Sequence, residues 1–317
     1  MYYENILEAV GGTPLVRLNR IPGPECARIL VKDEALNVGG SVKTRISLAM
    51  IREAEKRGDL RPGGIIVEPT SGNQGIGLAL VGAVLGYEVR IIMPDSVSEE
   101  RRKLCEIYGA HVILKHDAGD IGACIDECLR CALEMRDADP EHVFVPQQFI
   151  NPDNPLVHER ETGREILEDA NCVIDGFVSG IGTGGTLSGV GHALRKANPD
   201  ITIWAVEPEN AAILSGGEIG THLQMGIGDG VIPENLDQDV YNKVITVTDE
   251  EALTMSRRLA SEEGLVCGIS SGTNVCAAVR LARELGPGKT VVTLLPDTGE
   301  RYFSTPLFCG PLRDLRL

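Results

Sequence analysis

Lys43 closes the run Asn37-Val38-Gly39-Gly40-Ser41-Val42-Lys43, just ahead of an amphipathic stretch from Ile46 to Lys56. A cation near a helix N-terminus opposes the helix dipole, which favours anions there. Taken alone, such a residue reads as a solvated loop lysine. The sharper reading is a desolvated lysine whose lowered pKa suits Schiff-base chemistry with an aldehyde.

Three further turns open helix-like runs, the first two of them directly after strand-like runs. Glu68-Pro69-Thr70-Ser71-Gly72-Asn73-Gln74-Gly75 offers hydroxyls and backbone N–H groups that could receive a carboxylate or phosphate. The plain alternative is a well-capped βα turn, since Ser, Thr and Asn are favoured there anyway. Ser179-Gly180-Ile181-Gly182-Thr183-Gly184-Gly185-Thr186 lets the backbone approach an anion closely and adds threonine hydroxyls. No Lys-Ser/Thr pair follows it, so it is not a P-loop, and its glycine spacing is not a dinucleotide fingerprint. It reads as a monophosphate cup. Gly268-Ile269-Ser270-Ser271-Gly272 opens a helix and by itself is an N-cap.

Apolar strand-like runs alternate with amphipathic stretches along nearly the whole chain, as expected of βαβ units on parallel sheets. Expected strands include Ile65 to Val67, Val89 to Met93, Val112 to Leu114, Val143 to Val145, Gly176 to Val178, Ile201 to Val206 and Thr290 to Leu295. Expected helices run from Ile76 to Leu85, Ser98 to Tyr108, Ile121 to Met135, Gly185 to Ala197, Asp249 to Glu263 and Thr273 to Leu285. Gly, Pro and Asn cluster at Gly39-Gly40 and Asn151-Pro152, which marks joints between lobes, and the chain shows no repeats or low-complexity segments.

The 317 residues allow two lobes, and 43 % hydrophobic with 24 % charged residues indicates a folded core. Thirty basic against 46 acidic residues give a net charge of −16, which repels nucleic acid and anionic lipid as main partners. No run approaches the length of a membrane span, and no basic, then apolar, leader opens the chain. An odd set of nine scattered cysteines suits buried thiols in a reducing cytoplasm.

Taken together, these motifs resemble the cysteine synthase and cystathionine β-synthase family of pyridoxal-phosphate enzymes, fold type II. The resemblance starts at Ile6 and Gly12-Thr13-Pro14-Leu15-Val16-Arg17-Leu18 and continues through Gly40 to Lys43 and Pro69 to Asn73. It then takes in Gln147-Gln148-Phe149, Asn151-Pro152 and Gly182 to Thr186, and ends at Pro296-Asp297-Thr298-Gly299-Glu300-Arg301-Tyr302. It implies two three-layer α/β/α lobes with mainly parallel sheets, like the tryptophan synthase β chain. The larger, cofactor-binding domain would comprise 1–45 plus 148–317, and the smaller, mobile domain 46–147.

By that resemblance Lys43 holds pyridoxal 5′-phosphate in Schiff-base linkage and moves the substrate α-proton. Asn73 would bond the ring 3′-oxygen, and Gly182, Thr183, Gly184, Gly185 and Thr186 would cup the phosphate. Ser270 would face the pyridine nitrogen, a neutral partner that tunes the ring toward β-elimination. Thr70, Ser71, Gly72, Asn73 and Gln148 would hold the amino-acid carboxylate. The implied reaction is β-replacement through an aminoacrylate, in the first place O-acetyl-L-serine and sulfide giving L-cysteine and acetate. A homodimer in the cytoplasm is expected, and some family members dock the C-terminal tail of serine acetyltransferase.

Three positions depart from the family pattern. Gln74 stands where Thr is usual, Thr44 replaces the usual Asp, and Asp229 in Gly226-Ile227-Gly228-Asp229-Gly230 replaces a small residue. Asp229 can be a plain loop acid. It can also, with Gly228 and Gln74, face the substrate and accept from the ammonium of a second amino acid. That second reading suits an enzyme that uses cysteine as donor, releases hydrogen sulfide and forms lanthionine or a related thioether. A serine/threonine dehydratase and a non-catalytic amino-acid-binding homologue are the remaining alternatives. Intact Lys43 speaks against the last.

Cys124, Cys128 and Cys131 have a spacing that invites an iron–sulfur reading, but they share one helix face, as core residues do. The six histidines show no metal-ligand spacing, so no metal is expected, and Trp204 falls in an expected strand.

Overall fold

The computed structural model describes residues 2–70, 72–118 and 121–309. Ten strands form two sheets among them. The larger comprises β1 (Leu15–Arg17), β2 (Arg28–Asp33), β7 (Gly176–Gly180), β8 (Thr202–Pro208), β9 (Lys243–Val247) and β10 (Thr290–Leu295), in the spatial order β1-β2-β10-β7-β8-β9. The smaller comprises β3 (Ile65–Pro69), β4 (Glu88–Pro94), β5 (His111–Lys115) and β6 (Val143–Phe144), in the order β5-β4-β3-β6. Every pair is parallel except β1 with β2. The nearly continuous apolar runs of β8 and β10 follow from burial on both faces of a parallel sheet.

Successive strand residues feed opposite faces, because side chains alternate along a strand. Ile29, Val31, Val178 and Val291 pack with Ala277 and Leu281 of α9 (Ile269–Leu285) and Met255 of α8 (Asp249–Arg258). Leu30, Phe177 and Val292 pack on the other side with Leu187 and Val190 of α7 (Gly185–Ala197) and Ile166 of α6 (Arg164–Ala170). The smaller sheet repeats the scheme. Ile66 and Ile91 meet Ile51 of α1 (Lys43–Arg57), Leu78 of α2 (Asn73–Leu85) and Cys105 of α3 (Glu99–Ile107). Val67 and Ile92 meet Cys124, Cys128 and Ala132 of α4 (Ile121–Ala138). Both sheets are thus the middle layer of an α/β/α sandwich. Cys124 and Cys128 are core residues beside the half-buried Cys131, and Trp204 is buried in β8.

The long elements match their expected positions, with three instructive shifts. Helices α1, α2 and α9 begin three or four residues earlier than apolar periodicity indicates, so Lys43, Asn73 and Ser270 lie inside their first turns. Periodicity is blind there because the residues facing the site are polar. The run after Asp249 leaves α-geometry at Leu259 for a wider turn through Glu263. The short strands β1, β2 and β9 and the short helices α5 (Asp153–Val157) and α6 had not been anticipated.

Helix α1 carries a buried ion cluster that anchors its first turn. The Arg45 guanidinium donates to Glu34 at 2.9 and 3.0 Å and to both oxygens of Glu165 at 2.7 Å. Lys32 Nζ lies 2.9 Å from Glu165. Arg45, Glu34 and Lys32 are fully buried. Each of these groups is paired, and removing one partner would leave an uncompensated buried charge.

Candidate active site

Two of the turns singled out above lie at the carboxyl ends of strands β3 and β7, where open parallel sheets place their ligands, and the Gly268 turn is bonded to the segment after β10 through Gly268 N–H and Asp297 O at 3.0 Å. Lys43, the first residue of α1, is tied in by its neighbours: Val42 N–H donates to Pro296 O at 2.8 Å, and Thr298 N–H to Gly40 O at 3.1 Å. Its own N–H donates to Ser41 Oγ at 3.3 Å. Burial lowers the Lys43 ammonium below the ordinary lysine value, against the pull of the Asp229 and Asp297 carboxylates. The amine is thereby biased toward the neutral, nucleophilic form.

Asp229 is half-buried, and burial raises its carboxyl above the usual range while Lys43 and His222 draw it down. A methyl group placed on Gly182 would meet Asp229 Oδ2 at 3.4 Å. The acid therefore stands over the glycine turn, beside Lys43, and is not a solvated loop residue. Gly228 next to it has both backbone groups engaged: its N–H donates to Ile181 O at 2.9 Å, and its carbonyl lies 3.0 Å from His222 Nε2.

Gly182 to Thr186 form a tight turn into α7. Gly184 has φ +77°, a region that favours glycine. A Cβ on Gly182 would meet Gly226 O at 2.4 Å, and one on Gly185 would meet Asn154 Oδ1 at 1.9 Å. No side chain caps the N-terminus of α7, so its first N–H groups remain open to an anion. Both threonine hydroxyls are held from behind, Thr183 Oγ1 by Asn154 Nδ2 at 2.9 Å and Thr186 Oγ1 by His158 Nε2 at 3.2 Å. Burial keeps His158 well below its ordinary pKa, so this ring is neutral. Asn154 and His158 had not been singled out in the sequence. The Asn151-Pro152 turn just ahead of Asn154 was the available signal.

Opposite the cup, the Thr70 hydroxyl accepts from Gly72 N–H at 3.3 Å. Ser71 lies outside the described residues. Asn73 gives its amide to Asp297 Oδ2 at 2.7 Å and accepts from Arg301 Nη1 at 2.5 Å. Both ends of that amide are therefore anchored, while the second hydrogen on Nδ2 is left to donate to a ring oxygen. Gln74 is 1 % exposed, and among the described residues neither of its amide atoms has a hydrogen-bond partner. Gln148 is 6 % exposed, with its Oε1 unpartnered. Ser270 is buried in the first turn of α9. Thr44, one of the departures, is buried with an unpartnered hydroxyl.

An uncapped helix behind a glycine cup, a half-buried lysine of lowered basicity and unpartnered buried amides fit a phosphorylated aldehyde cofactor bound together with an amino acid.

Comparison with known proteins agrees with this chemistry. Residues 6–297 match the family model described as pyridoxal-phosphate dependent enzyme. A cysteine synthase of Staphylococcus aureus strain Mu50 is 50 % identical over 307 residues, which is 96 % of this chain and 97 % of that protein. The crystal structure of a cysteine synthase from Entamoeba histolytica superposes with a TM-score of 0.92 at 39 % identity, covering 98 % of this chain and 92 % of that one. A hydrogen sulfide-producing enzyme from Fusobacterium nucleatum superposes with a TM-score of 0.89 at 39 % identity, covering 95 % and 98 %.

Proposed function

The chain belongs to the pyridoxal-phosphate dependent enzyme family, and on that premise we propose that it catalyses β-replacement on an activated serine, making L-cysteine from O-acetyl-L-serine and sulfide. The observation that carries this reading is Lys43, half-buried at the start of α1 with its basicity lowered, within the electrostatic reach of Asp229, the acid that stands over Gly182 of the uncapped glycine cup. The cofactor, when bound, supplies an electron sink that acidifies the substrate α-carbon and lets the β-substituent leave.

Gly182, Thr183, Gly184, Gly185 and Thr186 hold the phosphate through backbone N–H groups and the two supported hydroxyls. Asn73 reaches the ring 3′-oxygen, and Ser270 offers a neutral hydroxyl to the pyridine nitrogen. Thr70, Ser71, Gly72 and Gln148 receive the substrate carboxylate, with Gln74 behind them. Lys43 Nζ removes the α-proton and later returns it, which needs the amine free and neutral while the donor is bound. The segment 46–147, which contains the smaller sheet, closes toward the cup when the carboxylate is held.

A second reading rests on Asp229. A carboxylate beside Lys43 and over Gly182 can accept from the ammonium of an incoming amino acid, which sulfide does not carry. It suits cysteine as donor, with release of hydrogen sulfide and formation of a thioether such as lanthionine.

The acting protein is a cytoplasmic twofold homodimer in this proposal, and its cleft can take the C-terminal tail of serine acetyltransferase. No helix among the described residues is long and apolar enough to cross a membrane. The deciding experiment gives the cofactor-loaded enzyme O-acetyl-L-serine with sulfide, and separately L-cysteine alone. Cysteine formation in the first supports synthesis; steady sulfide release in the second supports the Asp229 reading; inactivity in both overturns the β-replacement assignment.

A further inference from the structure

Glu68, in β3 two residues before Thr70, is 1 % exposed and has no part in the scheme above. Its carboxylate takes two successive backbone donors, Gln147 N–H on Oε2 at 2.8 Å and Gln148 N–H on Oε1 at 3.0 Å. Gln147 has φ +55°, a left-handed conformation that costs a non-glycine residue about 1 kcal/mol or more. The rest of this turn is equally tied. Gln148 O accepts from Asn154 Nδ2 and from Asn235 Nδ2, each at 2.8 Å, and Gln147 O accepts from Ile150 and Asn151 N–H. Among the described residues the buried Gln148 side-chain oxygen has no partner.

Among the described residues no cation pairs with Glu68. Burial pushes its carboxyl up to about 7, against the two N–H donors of Gln148 and Gln147, and no ionisable side chain contributes to that shift. A buried carboxylate without a counter-ion is costly, and it is not needed to close a turn. What the charge does here is hold a strained backbone in the one conformation that aims the Gln148 amide. The chain passes from the end of β3 at Pro69 straight to Thr70, so Glu68 couples the two sides of the proposed carboxylate pocket.

We infer that Glu68 is a positioning residue for the amino-acid donor: its ionised carboxylate clamps the Gln147–Gln148 turn so that Gln148 can receive the substrate carboxylate. This rests on the assignment of Gln148 to that carboxylate. The ionised form accepts both N–H groups, whereas protonation turns one oxygen into a donor and frees one of them. Donor binding is then tight above pH 7 and weakens as the pH falls through it.

The test compares wild-type holoenzyme with E68Q and E68D. Expected for E68Q is a rise of about tenfold or more in the KM for O-acetyl-L-serine, the scale of a lost charge-assisted bond. The kcat, the sulfide KM and the bound cofactor should stay within about twofold. E68D, which keeps the charge on a shorter arm, should lie between the two. The rise in donor KM below pH 7 should vanish in E68Q. Calorimetric titration with L-alanine, which has no β-leaving group, should show the same weakening, and L-alaninamide, which has no carboxylate, should not.

Unchanged donor KM and L-alanine affinity in E68Q, or equal losses for L-alanine and L-alaninamide, overturn the inference. If E68Q does not fold, E68D carries the comparison by the same criteria. A wild type inactive on every donor sinks the β-replacement reading, while the alanine titrations still judge Glu68.

Discussion

The Asn73 amide donates through Nδ2 to Asp297 Oδ2 over 2.7 Å, which ties the first residue of α2 to the turn that follows β10. Tyr302 OH donates to the same oxygen at 2.7 Å, and Arg301 reaches Asn73 Oδ1 and Gly39 O. Two sheets that share no strand are thus joined at the lip of the site. Asn73→Ala removes one of the two donors to a fully buried carboxylate. We expect a stability loss of about 1–3 kcal/mol, read from denaturant unfolding of the apoprotein, together with weaker cofactor retention on dialysis.

Lys43→Ala should abolish turnover while the protein still folds. The amine is both the attachment point for the aldehyde and the proton carrier, and alanine supplies neither. Borohydride reduction, which fixes an imine covalently, should leave the cofactor on wild type and release it from the variant on denaturation. A variant that keeps wild-type turnover would sink the assignment.

Asp229→Asn removes the charge but keeps the shape. If wild type releases sulfide from L-cysteine, the variant should lose that activity by about tenfold or more, since a charged acceptor for an ammonium becomes a neutral one. Conversion of O-acetyl-L-serine should stay within about twofold. Equal losses with both donors would return Asp229 to a general structural role.

The ion cluster under α1 has a pH signature. Burial raises the Glu165 carboxyl, but the bonds and charge of Arg45, the bond from Lys32 and Gly12 N–H outweigh it, and the pKa falls to about 2. A carboxyl depressed in the folded state adds stability that is full above its unfolded value of 4.5 and is lost as the pH falls toward 2. Unfolding midpoints in urea should therefore drop steeply between pH 4.5 and 2, and less steeply in Glu165→Gln. Arg45→Met should cost about 3–5 kcal/mol, because Glu34 is left buried without its partner.

Much of the fold was legible because its signals are local. Apolar runs, turn glycines and helical spacing are written in neighbouring residues, and Gly185 to Ala197 and Thr290 to Leu295 come out with the observed bounds. The starts of α1, α2 and α9 were missed where residues turn toward the site, since polarity there follows the ligand and not the core.

The sequence by itself determined the chemistry available: a lysine after a glycine turn, a threonine-bearing glycine cup, a hydroxyl-rich loop, and their order along the chain. Only the tertiary structure decided which groups meet. Glu68 and Gln148 are 80 residues apart, Arg45 and Glu165 are 120 apart, and Asp229 reaches Lys43 from a separate loop. Pairings at such separations leave no periodicity to read. They arise when packed sheets bring distant strand ends together, and the burial that shifts Lys43, Glu68 and Asp229 does not exist until that packing is complete.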